Sequence, residues 1–207
     1  MRPPSEVQTP AAGEDQLRPE WEEGGQFWAG LEEADRFFNG KAAVQRATER
    51  IVRLLEENGI PYAILGGMAL NAYGFIRVTN DVDLLLNADG LEAFKALHPE
   101  PDELAVRIHI FLAGKYPGDG LPKPVAYPDP ASAAVRGERM ALLPLPRLIE
   151  LKLASGMTAP HRLKDLADVL ETILALKLPA GLADELNPYV REKYQELWQA
   201  AQFRGPE

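Results

Sequence analysis

The sequence predicts an α+β fold, in which a small mixed β-sheet is flanked by helices and followed by a helical C-terminal part. Three apolar runs have the length of strands, and they lie at residues 61–65, 75–86 and 104–113. Helical patterns alternate with these runs, and only helical patterns are found after residue 145. Strands interleaved with helices, followed by helices alone, are typical of a layered sheet with a helical extension.

The first six elements follow one another in the order α-β-α-β-α-β. Their predicted ranges are 41–58, 61–65, 68–74, 75–86, 89–97 and 104–113. A loop rich in proline and glycine comes next, at residues 114–130, and it is followed by a short hairpin that turns at Arg136-Gly137-Glu138. The remaining helices are predicted at 145–155, 161–177 and 188–203.

The chain divides into three predicted parts. Residues 1–39 form an acidic and partly disordered N-terminal arm, because residues 1–40 hold nine acids and only three bases and the first 25 show no periodicity. Aromatic residues within 26–39 predict a short helix that docks on the body of the protein. Residues 40–144 form the core, and residues 145–207 form the helical C-terminal part.

Composition excludes several classes of protein. The chain has 207 residues, a hydrophobic fraction of 46% and no cysteine, which excludes a disulfide scaffold, a thiol nucleophile and a cysteine-ligated metal. The net charge of −9 disfavours a protein that coats nucleic acid. No apolar run approaches the ~20 residues that cross a bilayer, and the N-terminus lacks a signal-peptide pattern. We therefore expect a cytoplasmic protein without a membrane partner.

The segment that carries chemistry runs from a glycine pair to an aspartate pair. Gly66-Gly67 lies where a strand meets a helix, and residues without side chains let backbone N–H groups approach an anion. Asp81 and Asp83 follow on a strand, where a period of two directs both carboxylates to one face. Two such carboxylates repel each other unless a cation lies between them.

Oxygen ligands alone favour Mg²⁺ or Mn²⁺ as this cation. A phosphate-binding turn beside a metal held by carboxylates is the equipment of phosphoryl or nucleotidyl transfer. Each half of the pattern is common by itself, as a turn or as a solvated strand edge. Their combination on an apolar strand is what predicts a nucleotide site.

One motif covers this segment, and it is Gly66-Gly67-x6-Gly74-x2-Arg77-x-Thr79-x-Asp81-x-Asp83. The motif resembles the signature of the nucleotidyltransferase fold of the DNA polymerase beta superfamily. Within the superfamily it is most similar to the AbiEii-type branch, which includes toxins of toxin–antitoxin systems. Residues 148–152 and 162–168 also resemble that branch, and the similarity extends over residues 45–175.

The resemblance implies a role for nine residues. Gly66 and Gly67 would bind the nucleotide phosphates, and Asp81 and Asp83 would hold the metal. The other five would bind the nucleotide or organise its binding, and they are Arg77, Thr79, Lys152, Asp165 and Asp168. Arg77 and Thr79 would lie beside the triphosphate or brace the aspartate strand, and Lys152 would reach the phosphates with Asp165 or Asp168 orienting it.

Lys152 also stands out on physical grounds, because apolar neighbours in the run 148–154 would bury its stem and a partly buried ammonium needs an anion. Alternatives in which these residues have no role in nucleotide binding stay open. Lys152 would then be a surface lysine, and Asp165 and Asp168 would pair with Arg162 or Lys164 along their own helix.

The sequence departs from the superfamily at one position. Active members commonly carry a third carboxylate on a following strand, and the equivalent strand here presents His109. His109 could act as general base, it could bind a metal, or the transfer activity could be impaired. In the long loop, Lys115, Lys123 and Tyr127 are candidates for contact with a substrate.

The resemblance implies a metal-dependent transfer of NMP from an NTP to a hydroxyl acceptor, in a toxin-like enzyme. The acceptor would be RNA, in particular tRNA, or a protein hydroxyl, and an aminoglycoside-like small molecule is a further option. An antitoxin would be a partner. The alternative is an impaired nucleotidyltransferase fold that serves as a nucleotide-binding or interaction module.

Overall fold

The computed structural model describes residues 43–97 and 106–203. The predicted arm at 1–39 and its docking helix at 26–39 lie outside the described residues. In the described part, the α+β class that the sequence predicts is confirmed, with a five-stranded mixed sheet and helices around it.

Helices and strands alternate along the first part of the chain. They are α1 (43–57), β1 (Tyr62–Leu65), α2 (Gly66–Ala72), β2 (Asp81–Leu86), α3 (Ala88–Leu97) and β3 (Arg107–Leu112). A very short helix and a hairpin follow, namely α4 (Pro130–Ala133), β4 (Val135–Arg136) and β5 (Ala141–Leu142). The chain continues with α5 (Leu145–Thr158), α6 (Leu163–Leu176) and α7 (Pro188–Gln202), separated by 3-10 helices at Pro160–Arg162 and Ala180–Glu185.

The strand order across the sheet is β3-β2-β1-β5-β4. β1 pairs antiparallel with β2 and parallel with β5, while β2 and β3 are parallel. β4 and β5 form the antiparallel hairpin that the sequence predicts, with its turn closed by a hydrogen bond from the Gly137 amide to the Met140 carbonyl (2.9 Å). The two central strands, β1 and β2, are therefore surrounded by partners on both edges.

The core joins the sheet to the C-terminal helices. β1 is buried along its whole length, and Leu84 of β2 is fully buried. α5 packs Leu148 and Leu153 against this layer, and α7 contributes Tyr194, whose hydroxyl donates to the Pro179 carbonyl (3.0 Å). The same hydrophobic cluster thus includes residues on both sides of position 144, and the predicted division there stays a prediction.

Two elements differ in extent from the sequence prediction. The strand predicted from residue 75 begins only at Asp81, because the preceding segment is held against α2 by other bonds: the Phe75 amide donates to the Leu70 carbonyl (3.0 Å) and the Arg77 amide to the Asn71 side chain (2.7 Å). α4 was not predicted. Its N-terminus is capped by Asp129, whose carboxylate accepts from the Ala131 amide.

No helix within residues 43–97 and 106–203 combines the length and the apolar character that a membrane span requires.

Candidate active site

The aspartate pair lies on one face of β2, as the strand period predicts. Val82 and Leu84, on the opposite face, are fully buried, whereas the side chains of Asp81 and Asp83 are 32% and 17% exposed. Burial is the main reason why the pKa of Asp83 lies above its usual value, and repulsion from Asp81 adds to it. This site is therefore built around a like-charge pair that would be stabilised by a cation.

His109 completes a cluster with these acids. The parallel pairing of β2 and β3 sets His109 opposite Asp83, and its Nδ1 lies 3.3 Å from Asp83 Oδ1 and 3.4 Å from Asp81 Oδ2. One potential ligand atom from each of the three residues falls within 4.8 Å of the others. Two carboxylates and an imidazole suit a divalent transition metal such as Mn²⁺ and also permit Mg²⁺. The donor set fits the metal that nucleotide chemistry requires.

The glycine turn packs directly on the acids. Gly66 begins α2 with a φ of 63°, and a Cβ on it would lie 1.7 Å from Asp83 Oδ2. A Cβ on Gly67 would lie 2.7 Å from the Cβ of Thr79. Both positions thus need glycine because the backbone comes so close to its neighbours. The turn is adjacent to the acidic pair, with no side chain between them.

Thr79 and Arg77 connect the turn to two different walls of the site. The Thr79 hydroxyl donates to Asp81 Oδ1 (3.0 Å), which supports the first aspartate from the side. The guanidinium of Arg77 reaches Asp168 on α6 (2.5 Å). Both residues are expected either to lie beside the triphosphate or to brace the aspartate strand. Thr79 contacts the aspartate strand, whereas Arg77 links the segment before β2 to α6.

Lys152 of α5 lies between the two acids of α6. Its Nζ is 3.1 Å from Asp165 Oδ1 and 2.6 Å from Asp168 Oδ2, and its side chain is only 14% exposed. Burial by itself would raise the pKa of Asp168, but Lys152 and Arg77 outweigh it and hold that pKa below its usual value. Lys152 is therefore a partly buried, paired lysine, and it contacts both of the expected partners.

A third cation completes this cluster. Arg162 Nε donates to Asp165 Oδ2 (2.9 Å), which also accepts from the Ser155 hydroxyl (2.7 Å). Three cations, Arg77, Lys152 and Arg162, thus share two acids, so this wall carries a surplus of positive charge. The field of Lys152 extends to Asp83 and opposes the rise in its pKa.

One cleft of about 300 Å³ is lined by all ten residues for which the sequence indicates a catalytic, metal-binding or nucleotide-binding role. The cleft has the acidic strand pair and the glycine turn on one side and the α5–α6 cluster on the other. The cleft is also lined by eight residues for which the sequence predicts no role there: Leu65, Phe111, Leu148, Leu151, Ser155, His161, Arg162 and Lys164. Phe111 could have been found from its spacing of two residues from His109, and Arg162 from its place beside Asp165.

The three residues of the long loop that are candidates for substrate contact differ in their position relative to the cleft. Tyr127 lines the cleft, whereas Lys115 and Lys123 do not. The Lys123 side chain is only 5% exposed, and its Nζ donates to the carbonyl of Pro117 (2.6 Å) and to the hydroxyl of Thr158 (3.2 Å). Lys123 is thus an anchor of the loop on α5.

No protein-family profile matches the chain, and no curated protein matches it. Several solved structures are similar to it, including the following two. One is that of ANT(2")-Ia in complex with adenylyl-2"-tobramycin, with 15% identity and a TM-score of 0.47, covering 76% of this chain and 95% of the other. The second is of a "putative nucleotidyltransferase from H. pylori", with 18% identity and a TM-score of 0.45, covering 81% of this chain and 94% of the other. At these values neither likeness assigns an activity to this chain.

We predict that Gly66→Ala disrupts the acidic cluster. The substitution introduces a Cβ into the position of Asp83 Oδ2 and a side chain at positive φ, so Asp83 must move. Gly59→Ala is a matched control, because Gly59 has the same φ of 63° and open space around its Cα. Both variants should lose about 1 kcal/mol of unfolding free energy from the backbone. Only Gly66→Ala should also abolish the increase in melting temperature produced by Mn²⁺, and an unchanged Mn²⁺ effect in Gly66→Ala would contradict this geometry.

We predict that Asp168→Asn destabilises the protein in a pH-dependent manner. The substitution removes one of the carboxylates that neutralise Lys152 and Arg77. It should lower the free energy of unfolding by about 3 kcal/mol at neutral pH. Because the pKa of Asp168 is lowered in the folded state, its contribution is present above the unfolded value of about 3.9 and is lost as the pH falls through the folded value.

Denaturant titrations from neutral pH down to acid pH would measure this effect. The difference in unfolding free energy between Asp168→Asn and wild type should shrink in the acid range. Asp184→Asn, at an exposed position outside the cleft, should match wild type throughout. A difference that stays constant over the whole range would show that the carboxylate charge of Asp168 is not what stabilises the fold.

Proposed function

We propose that this protein is a divalent-metal-dependent nucleotidyltransferase, which transfers NMP from an NTP to a hydroxyl acceptor. The observation that carries the proposal is the convergence of Asp81, Asp83 and His109 in one cluster, in which Asp83 lies directly against Gly66. The sequence motif that spans the same residues supports the same class. A metal site in contact with a side-chain-free turn is what binding of a polyphosphate requires.

Asp81, Asp83 and His109 are the residues that would hold the metal, which we propose to be Mg²⁺ or Mn²⁺. When bound, a divalent cation would neutralise the negative charge on the phosphate oxygens. His109 takes the place of the third carboxylate and serves as a ligand. The proposal of a ligand role is supported by the similar distances of its Nδ1 from both aspartates.

In the proposed reaction, the acceptor oxygen forms a bond to the α-phosphorus of the NTP. The bond between the α-phosphorus and the oxygen that bridges to the β-phosphate breaks, pyrophosphate leaves with the electron pair, and the acceptor proton is released to water. The Gly66-Gly67 turn admits the phosphates close to its backbone. The surplus positive charge of Arg77, Lys152 and Arg162 stabilises the negative charge of the leaving group across the cleft.

The acceptor and the biological role are finer parts of the proposal. The AbiEii-type resemblance supports a toxin-like enzyme of the cytoplasm, with tRNA or a protein hydroxyl as acceptor and an antitoxin as partner. A cationic aminoglycoside is disfavoured by the described part of the cleft, where Asp165 and Asp168 are already paired with Lys152, Arg77 and Arg162. We propose the core at 40–144 and the helical part at 145–207 as the two sides of this site.

The first test is transfer of label from α-labelled NTPs in the presence of Mg²⁺ or Mn²⁺. The reaction contains total RNA in one series, and the protein alone in a second series that detects self-modification. Wild type should transfer label, and Asp81→Asn should reduce the rate by about 100-fold or more, because it removes one charge from the metal site while keeping the shape of the side chain.

Asp184→Asn is the control for this test, because it removes an exposed acid outside the cleft and should leave the rate unchanged. Nucleotide-dependent thermal stabilisation without any transfer would favour the alternative, an impaired nucleotide-binding module. Absence of both transfer and stabilisation would overturn the proposal.

The second test concerns the metal preference that His109 imposes. Imidazole suits Mn²⁺ better than Mg²⁺, so wild type should be more active with Mn²⁺. His109→Glu restores a set of three carboxylates and should raise the ratio of Mg²⁺-supported to Mn²⁺-supported activity. The readout is the ratio of the two initial rates at saturating metal.

His161→Glu is the matched control for charge, because His161 also lines the cleft but is not part of the acidic cluster. It should leave the metal ratio unchanged. An equal ratio in wild type and His109→Glu would exclude a ligand role for His109.

A further inference from the structure

An aromatic pair lies beyond the acidic cluster on the same face of the sheet. Phe111 follows His109 by two residues on β3, so it shares the face of His109 and lies about 6.6 Å further along the strand. Tyr127, from the long loop, packs on Phe111 with ring centroids 5.1 Å apart and an interplanar angle of 42°. Both side chains are partly exposed, and both line the cleft.

Tyr127 brings a phenol hydroxyl to the cleft that Asp83, Arg162 and Asp165 also line. Burial raises the pKa of this phenol, so it stays protonated at neutral pH. The charges of Arg162, Asp165 and Asp83 also act on its ionisation. Within residues 43–97 and 106–203, its hydroxyl makes no hydrogen bond, so it can donate to a ligand.

The position of Tyr127 is fixed by its backbone and by the anchor at Lys123. The Tyr127 amide donates to the Lys115 carbonyl, and its carbonyl accepts from the Gly114 amide, both at 2.8 Å. Lys123 ties the same loop to Thr158 at the end of α5. The backbone at Tyr127 is therefore anchored, which reduces the ordering that a ligand would have to impose on this part of the loop.

The features of the cleft occupy successive positions, first across the strands from the end of β1 to β3 and then along β3. The Gly66 turn is beside the acidic pair, the acidic pair is beside His109, and Phe111 with Tyr127 lies beyond. An NTP has the same order of chemistry, with a polyphosphate at one end, the α-phosphate in the middle and an aromatic nucleoside at the other end. The polar end of the cleft suits the phosphates, and the aromatic end suits a flat apolar group.

We propose that Phe111 and Tyr127 form the nucleoside-binding wall of the cleft, with the ring of Tyr127 packed on the base and its hydroxyl donating to the nucleoside. This inference rests on the proposed function, because it assigns a part of the same site. It makes Tyr127 a residue that contacts substrate and that distinguishes a nucleotide from a bare polyphosphate.

The experiment compares two probes by titration calorimetry in the presence of Mg²⁺. One probe is inorganic tripolyphosphate, and the other is an adenosine triphosphate whose α–β bridge is a methylene group, so that it cannot react. Wild type should bind the nucleotide more tightly than tripolyphosphate. Tyr127→Ala should weaken nucleotide binding by about 10-fold or more, since stacking on an aromatic side chain contributes this much, and should leave tripolyphosphate binding unchanged.

Two further variants guard against a general loss of structure. Tyr127→Phe keeps the ring and removes the hydroxyl, so it should weaken nucleotide binding by about threefold, as expected for one hydrogen bond. Phe111→Leu keeps an apolar side chain without a ring and should also weaken only nucleotide binding. Tyr116→Ala, in the same loop but outside the cleft, is the matched control and should bind both probes as wild type does.

Each result decides between the inference and the proposed function. Equal weakening of both probes in Tyr127→Ala and Phe111→Leu would mean that the pair supports the fold only, which overturns the inference. Equal affinity of wild type for both probes would overturn it too, while leaving a polyphosphate site in place. Wild type that binds neither probe would overturn the proposed function itself.

Discussion

The contact between Gly66 and Asp83 is the constraint on which the rest of the site depends. A backbone turn can lie against a carboxylate oxygen only where no Cβ intervenes, and here a Cβ would come within 1.7 Å of that oxygen. Because β1 is antiparallel to β2, Leu65 pairs with Asp83, and the turn that follows Leu65 must pass over the aspartate. The strand register thus brings the glycine turn into contact with the aspartate cluster.

A second constraint is electrostatic, and it joins the helices to the sheet. Asp165 and Asp168 of α6 are buried, and Lys152, Arg77 and Arg162 surround them with positive charge. Since Arg77 precedes β2, this network sets the distance between the acidic wall and the helical wall. One side of the cleft is short of positive charge and the other has an excess, which is the arrangement that a metal-bound polyphosphate would complete.

Local sequence was sufficient for the parts of the site that lie close together in the chain. The shared face of Asp81 and Asp83 follows from strand periodicity, and the glycine turn follows from the strand–helix junction at Gly66. Resemblance to known motifs supplied Lys152 and its two acids, although not the manner in which they pair. Arg162 was assigned only to its own helix, because i,i+3 spacing cannot reveal that Ser155 and Lys152 contact the same carboxylate.

The sequence alone determined the fold class, the order of the elements and the acidic pair, because these depend on hydrophobic periods and on neighbours within a few residues. Tertiary structure decided which partner each of these groups meets. The parallel pairing of β2 and β3 sets His109 beside the aspartates, and the anchored loop brings Tyr127 to Phe111. Such contacts depend on strand order and loop path, and residues far apart in the chain carry no local pattern that specifies them.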